Sequence, residues 1–523
     1  MSEASSEPGC ELQRPHDWIR YALPLLAVWL TYWLALFPGL ISLDSVNQWG
    51  QIVTGRYDDW HPVFHTWVLW LISRPGHSLG TVSLVQVVLT AVLLGHALSA
   101  ARQLGVPGWL IWTAVAWFVL SPVFGVGTIA VWKDNAFGLT TLWTVVLLLR
   151  AVRRGTMTSA SSLWFGIALA LMSLFRHNGH LVAIPTLGVA AWGFRPSRVM
   201  AIRSTLVGVL LVTLVIGVTR AAHIPHAHEV LKQLVVIHQI AALVAAGTPL
   251  PEHSREVLER VAPLPTWASD YKCEAITGML YWPGLRGHLR VDRRQLVAVW
   301  AQLAARNPWG VARHWVCVTR YIWSPHSELI IGPLLSHGGF VADNAYGLAT
   351  TSWLPWVEDG LVRLVAATLR PGSLVRFLVW QPAFPLYVLL GSLGLAVGRT
   401  RSAAPLVILS PALFNTLLWL GMATGPHFRF QWPVVLLAPV AACLSGTRQS
   451  ARPASGSSHV CLQRSRRGAE AAPKAASPAT TRPRPAGTPG RGQSPAVVSK
   501  APRTRSAEKH SRATSAAWAL ARA

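Results

Sequence analysis

The residues able to do chemistry in this 523-residue chain gather in four short stretches. The first reads Ser42-Leu43-Asp44-Ser45-Val46-Asn47-Gln48, then Tyr57-Asp58-Asp59-Trp60-His61-Pro62. Asp44 lies just past an apolar run, where a carboxylate is partly desolvated and its charge is costly unless paired. A carboxylate held there suits a general base that takes a proton from an acceptor hydroxyl. Aspartate is also a common helix cap, and Asp44 precedes a helical stretch, Ser45 to Val53. The two roles are compatible. Asp58, Asp59, His61 and His65 offer metal-ligand chemistry, because His61 and His65 share a helix face at i and i+4. The competing reading is a hydrogen-bonded turn in which Pro62 starts a helix.

The second stretch is Trp132-Lys133-Asp134-Asn135, between two apolar runs. Lys133 and Asp134 could neutralise each other, or the ammonium could face a phosphate. The third is Phe175-Arg176-His177-Asn178-Gly179-His180. Its donors suit a phosphate or a sugar, and a snorkelling arginine on a plain turn is the alternative. The fourth, Gly425-Pro426-His427-Phe428-Arg429-Phe430, opens the last apolar run with another cation. His223, His226 and His228 resemble a metal tract, but alternating exposed histidines on a loop are commoner, so no metal site is assigned.

Composition sets the frame for these turns. The chain is 52% hydrophobic and only 13% charged, against about 25% charged in soluble proteins. Apolar runs near 18–39, 82–101, 108–129, 136–150, 160–175, 181–194, 203–219, 376–397, 404–422 and 430–446 predict an all-α polytopic membrane protein of about 10 transmembrane helices. The first run lacks a basic start and a cleavage site, so it is kept as an anchor. Val63 to Ile72 is apolar but short and predicts an interfacial or re-entrant helix. Arg102, then Arg150, Arg153 and Arg154, then Arg195, Arg198 and Arg203, then Arg399 and Arg401 occupy alternate loops. The positive-inside rule makes those loops and both termini cytoplasmic. The four reactive stretches then share the outer face.

The expected organisation is a cytoplasmic N-terminus (1–17), an N-terminal transmembrane module (18–219) with a catalytic first outer loop (40–81), an extracytoplasmic domain (220–375), C-terminal transmembrane helices (376–446) and a disordered basic tail (447–523). Helical patches are expected from Glu229 to Ala246 and from Gln295 to Trp323. The net charge of +25 suggests nucleic acid at first sight. Its distribution excludes that class, because the excess lies in the tail and in short loops. The tail lacks the apolar content to fold and is expected to be a solvated segment with no specific partner, the alternative being a place on the anionic inner leaflet. Five cysteines show no zinc spacing. Cys273 and Cys317 share the outer region, and two unrelated buried thiols are expected there rather than a bridge. Mid-span positions are mostly Leu, Val, Ala and Trp, which favours an enzyme or lipid-binding protein over a transporter with polar broken helices.

In order and type these turns resemble the GT-C superfamily of membrane glycosyltransferases, closest to its bacterial multi-spanning members. The shared features are the early outer Asp44, His61-Pro62 before an apolar helix, Lys133-Asp134 between crossings, Arg176-x-Asn178-Gly179 after a later crossing, and Arg429 at the last crossing. The family often has Arg-Tyr at that last place, and this chain has Arg-Phe. The resemblance spans about residues 20–445. It implies sugar transfer from a polyprenyl-phosphate donor to an envelope glycan, lipid or protein acceptor, at the outer face of the cytoplasmic membrane. Asp44 would be base or acceptor-positioning group, with Asp59 (or Asp58) as second acid and His61 beside it. Lys133, Arg176 and Arg429 would hold the lipid phosphate, with Gln48, Asp134, Asn178 and His427 lining the substrate. Some relatives use a divalent cation and others do not. A flippase of a lipid-linked glycan, or a non-catalytic assembly partner, is the alternative.

Overall fold

The computed structural model describes residues 16–194, 198–225, 233–276, 278–282, 292–327 and 344–447. Two compact units divide the chain, Met1–Ala451 and Arg452–Ala523, and the described residues all belong to the first. The expected tail beyond Thr447, together with Cys10, Cys461, His226 and His228, lies outside the described residues.

Every described element is a helix. The order begins α1 (Ile19–Ala35), α2 (Leu43–Thr54), α3 (Val63–Ser73), α4 (Leu79–Gln103), α5 (Gly108–Leu120), α6 (Pro122–Ile129), α7 (Lys133–Arg154), α8 (Ser159–Phe175), α9 (His180–Gly193) and α10 (Arg198–Ala221). It continues α11 (Leu234–Ala245), α12 (Glu252–Glu259), α13 (Leu264–Ser269), α14 (Arg293–Arg306), α15 (Pro308–Trp323), α16 (Pro355–Thr368), α17 (Leu374–Trp380), α18 (Ala383–Thr400), α19 (Ala404–Met422) and α20 (Trp432–Leu444). Among the described residues, 5 helices are long and apolar enough to cross a membrane, or 6 if the bent pair α5–α6 is one span. The other expected crossings coincide with apolar helices that are shorter than this. The crossing expected over 376–397 starts later, at Ala383, because Gln381 and Pro382 separate α17 from α18.

Local chemistry explains most boundaries. α5 and α6 meet at 64° because Pro122 lacks the N–H that a continuous helix needs. The patch expected from Gln295 to Trp323 divides in two at Asn307 and Pro308. There the Asn307 side chain accepts from Gly310 N at 2.8 Å and opens α15. α2 begins with a capping box in which Ser42 and Ser45 satisfy each other's backbone N–H groups. Gly55, at φ 68°, ends that helix in the left-handed conformation that glycine adopts without strain.

Three apolar cores hold the unit together. The largest runs through the bundle, around Trp29, Phe118, Phe137, Phe165 and Phe428. A small one, Ile41, Trp49, Leu69, Leu79, Val82 and Val131, lies under the first loop. A separate core built from Leu234 to Leu303 gathers α11–α14. α15 bridges the two cores: its Val311 packs against this one, and its Val318, Tyr321 and Ile322 pack into the bundle core.

Candidate functional site

The four reactive stretches converge at one end of the bundle, and backbone contacts make them do so. Leu40 forms a parallel bridge with Ala130, with Val131 N donating to Leu40 O at 2.9 Å. Ser45 Oγ donates to Val131 O at 2.6 Å. Gln86, buried on α4, holds the same turn by donating to the carbonyls of Thr128 and Ala130 at 3.1 and 3.0 Å. The start of α2 is thereby fixed to the start of α7, and Asp44 meets Lys133.

Asp44 is not the cap of α2. Ser42 takes that place, so both Asp44 oxygens are free for other partners. Oδ2 accepts from Lys133 Nζ at 3.3 Å and from Arg429 Nη1 at 2.6 Å. Oδ1 faces His61 Nε2 at 3.8 Å. Lys133 Nζ also donates to His61 Nδ1 at 3.1 Å. An ammonium offers only donors, so Nδ1 must be an acceptor and the imidazole proton sits on Nε2, toward Asp44. Burial, then Lys133, push His61 down to about 3, so it is neutral at physiological pH. Burial alone would raise the Asp44 carboxyl, but Arg429, Lys133 and His61 together hold it well below the usual carboxylate range. His427, 4.9 Å from Phe430 between ring centroids, is likewise pushed down to about 3 by burial and then by Arg429.

Lys133 and Asp134 do not pair with each other. Adjacent residues on a helix point in different directions, and Asp134 turns inward. Its Oδ1 lies 2.9 Å from Arg176 Nη2, and its Oδ2 lies 3.6 Å from Arg429 Nε. Arg176 is enclosed by aromatic rings, with Trp419, Phe137 and Phe430 at 4.7, 5.2 and 5.3 Å from its guanidinium carbon. Arg176 is therefore neither a snorkelling residue nor a freely offered phosphate ligand. The cluster has two layers. Asp44, Lys133 and Arg429 are 26%, 18% and 18% exposed, while Asp134 and Arg176 are 1% and 4% exposed. Arg429 joins the layers.

Other expected site residues fall elsewhere. Gln48 is buried and ties α2 to α3 through His65 and Thr66, at 3.0 Å each. Asp59 accepts from Val63 N at 3.2 Å and starts α3, the helix expected after Pro62. Asp58 accepts from Gln51 and Trp60. Asn178 is half-buried and contributes its carbonyl to Leu181 N. Sequence reasoning missed the aromatic enclosure of Arg176, and also Gln86 and Ser45. A glutamine amid the apolar residues of α4 was the available sign for Gln86.

The arrangement does not fit a divalent cation. Asp44 Oδ2 already serves two cations, and a third positive group would repel both at short range. Among the described residues, the ligand-type set with close atoms is Cys273, Glu274 and Cys317. Those two cysteines form a disulfide with Cα atoms 6.1 Å apart, which corrects the expectation of two unrelated thiols.

That disulfide closes a ring around the turn that delivers Arg429. Cys317 lies two residues after Trp315, whose Nε1 donates to Leu420 O at 2.6 Å. Cys273 lies three residues before Ile276, whose N donates to Thr424 O at 3.0 Å. The bridge spans 44 residues, and closing a loop of that length is worth about 4 kcal/mol in the chain-entropy picture. Replacing both cysteines by serine is expected to lower the melting temperature and to speed amide exchange across 420–431. Faster exchange confined to α11–α14 would show that the ring does not brace this turn.

Compared with known protein families, with curated proteins and with solved structures, the chain matches none.

Proposed function

We propose that the chain is a polytopic membrane glycosyltransferase of GT-C type. It moves a sugar from a polyprenyl-phosphate donor to a hydroxyl-bearing acceptor at the outer face of the cytoplasmic membrane. The observation that carries this reading is the meeting of Asp44, Lys133, His61 and Arg429 from three distant parts of the chain at one partly exposed point. Two carboxylates touch three permanent cations there, Lys133, Arg176 and Arg429, so the cluster carries one excess positive charge among the described residues. Such a surplus suits an anion.

In the proposed reaction the acceptor hydroxyl gives its proton to Asp44 as its oxygen attacks the anomeric carbon. The bond between that carbon and the phosphate oxygen breaks, and the electron pair leaves on the phosphate. Lys133 and Arg429 stabilise the charge that develops there. A topology of about ten crossings with both termini inside supports the reading, since the positive loops alternate with those that carry the site. The disulfide in the outer region agrees with an oxidising compartment.

A lipid-linked-glycan flippase is the second reading, favoured by the broken pair α5–α6. Profiling lipid-linked glycans in cells with and without the protein tests both. Loss of a glycosylated product with its sugar donor accumulating on the outer leaflet is expected. Loss of product with the donor trapped on the inner leaflet would overturn the transferase in favour of the flippase.

A further inference from the structure

Asp44 as described is not poised to act as a base. Its Oδ2 is occupied by the ammonium of Lys133 and the guanidinium of Arg429. Burial works to raise its proton affinity, but the charges of Arg429 and Lys133 outweigh it and hold the carboxyl well below its usual range. Brønsted behaviour makes such a carboxylate a weak proton acceptor at neutral pH. The site carries its base in a resting form.

We propose that Asp44 is a resident counter-ion which an incoming phosphate displaces. The phosphate oxygens take over Lys133 and Arg429, and the released carboxylate becomes the base. The inference rests on the transferase reading for the role of the freed carboxylate, but the exchange is a binding event that stands without it.

The two-layer geometry favours exchange over simple addition. The layer holding Asp44, Lys133 and Arg429 is the exposed one, so an anion arriving from outside meets it first. Asp134 and Arg176 beneath are almost fully enclosed and stay in place. Asp134 keeps Arg429 anchored through Nε, at 3.6 Å, while Nη1 changes partner. His61 keeps Lys133 anchored through Nδ1. Each cation therefore has a second partner that holds it during the exchange. The surplus positive charge attracts a phosphate anion to the cluster even while the Asp44 carboxylate is in place.

The exchange makes a prediction opposite to that of a site in which Asp44 helps to hold the ligand. Removing the competing charge should tighten phosphate binding. The full-length protein in nanodiscs would be titrated with two probes, inorganic phosphate and a short isoprenyl monophosphate, with binding followed by phosphorus NMR. Asp44→Asn is expected to bind phosphate ~10-fold more tightly than the unchanged protein, about the worth of one charge-assisted hydrogen bond. Lys133→Met should bind ~10-fold more weakly for the same reason. Asp44→Glu, which keeps a competing carboxylate, should stay near the unchanged value and serves as the second variant if Asp44→Asn melts early. A gain shared by both probes identifies phosphate itself as the ligand, and a gain restricted to the isoprenyl probe identifies a lipid headgroup. Either supports the exchange. Equal or weaker binding by Asp44→Asn overturns it. No transfer is measured, so failure of the transferase reading would leave this result intact.

Discussion

Replacing Asp134 with alanine is expected to destabilise the protein by about 3–5 kcal/mol, because it leaves a buried arginine without its counter-ion. Arg176 and Asp134 are among the most enclosed charges in the bundle, with whole-residue exposures of 3% and 1%. The aromatic rings around Arg176 contribute attraction of about 0.5–2 kcal/mol each, too little to replace a carboxylate at 2.9 Å. The measurement is thermal unfolding of the purified protein in detergent. The double replacement Asp134→Leu with Arg176→Met removes both charges and should recover most of the loss, since a buried pair can be exchanged for apolar groups at small cost. Equal destabilisation by the single and the double change would mean that the pair contributes shape rather than charge.

The second large effect is on turnover. Under the proposed transferase reaction, Asp44→Asn keeps the volume of the side chain but loses the proton acceptor, and transfer should fall by ~10²–10⁴-fold, the range of general-base catalysis. The assay is sugar transfer from a polyprenyl-phosphate donor in membranes that hold matched amounts of protein. Asp59→Asn, at a side chain that accepts from Val63 N at the start of α3, should cost far less. A normal rate in the Asp44 variant would remove the base assignment. The same residue sets an acid limit. Its folded pKa is depressed, so the stabilising contacts with Lys133 and Arg429 are fully present above about pH 4, the unfolded carboxylate value. They are lost as pH falls further through the depressed value. Thermal unfolding below pH 4 should therefore separate the natural protein from Asp44→Asn less than unfolding at pH 7 does.

Much of the layout was legible because it depends on local signals. Long apolar stretches predicted helices, and each expected crossing coincides with one, although among the described residues 5 or 6 are long enough to span. Pro62, Pro122 and Pro308 mark helix starts for a reason readable in one residue, the missing N–H. Capping by Asp44, the alternative to its role as a base, falls away because Ser42, two residues earlier and equally able to cap, takes that place. The crossed pairing of Lys133 and Asp134 follows from helix direction once residue 133 is known to begin a helix. The burial of Arg176 was not legible. Trp419 and Phe430 enclose it from the far end of the chain, and nothing near residue 176 announces them. The disulfide was hidden for the same reason, because Cys273 and Cys317 are brought together by the packing of α15 and the segment after α13.

The ring closed by Cys273 and Cys317 also imposes an order of manufacture. Asp44 and Lys133 belong to the first third of the polypeptide, whereas Arg429 follows Asp44 by 385 residues. A growing chain threaded into the bilayer can dock its first loop on α7 well before the last guanidinium emerges. The bridge itself forms only where thiols are oxidised. A chain that stops short of residue 429 leaves Asp44 with Lys133 alone, so the full set of contacts at that carboxylate exists only once synthesis is nearly finished.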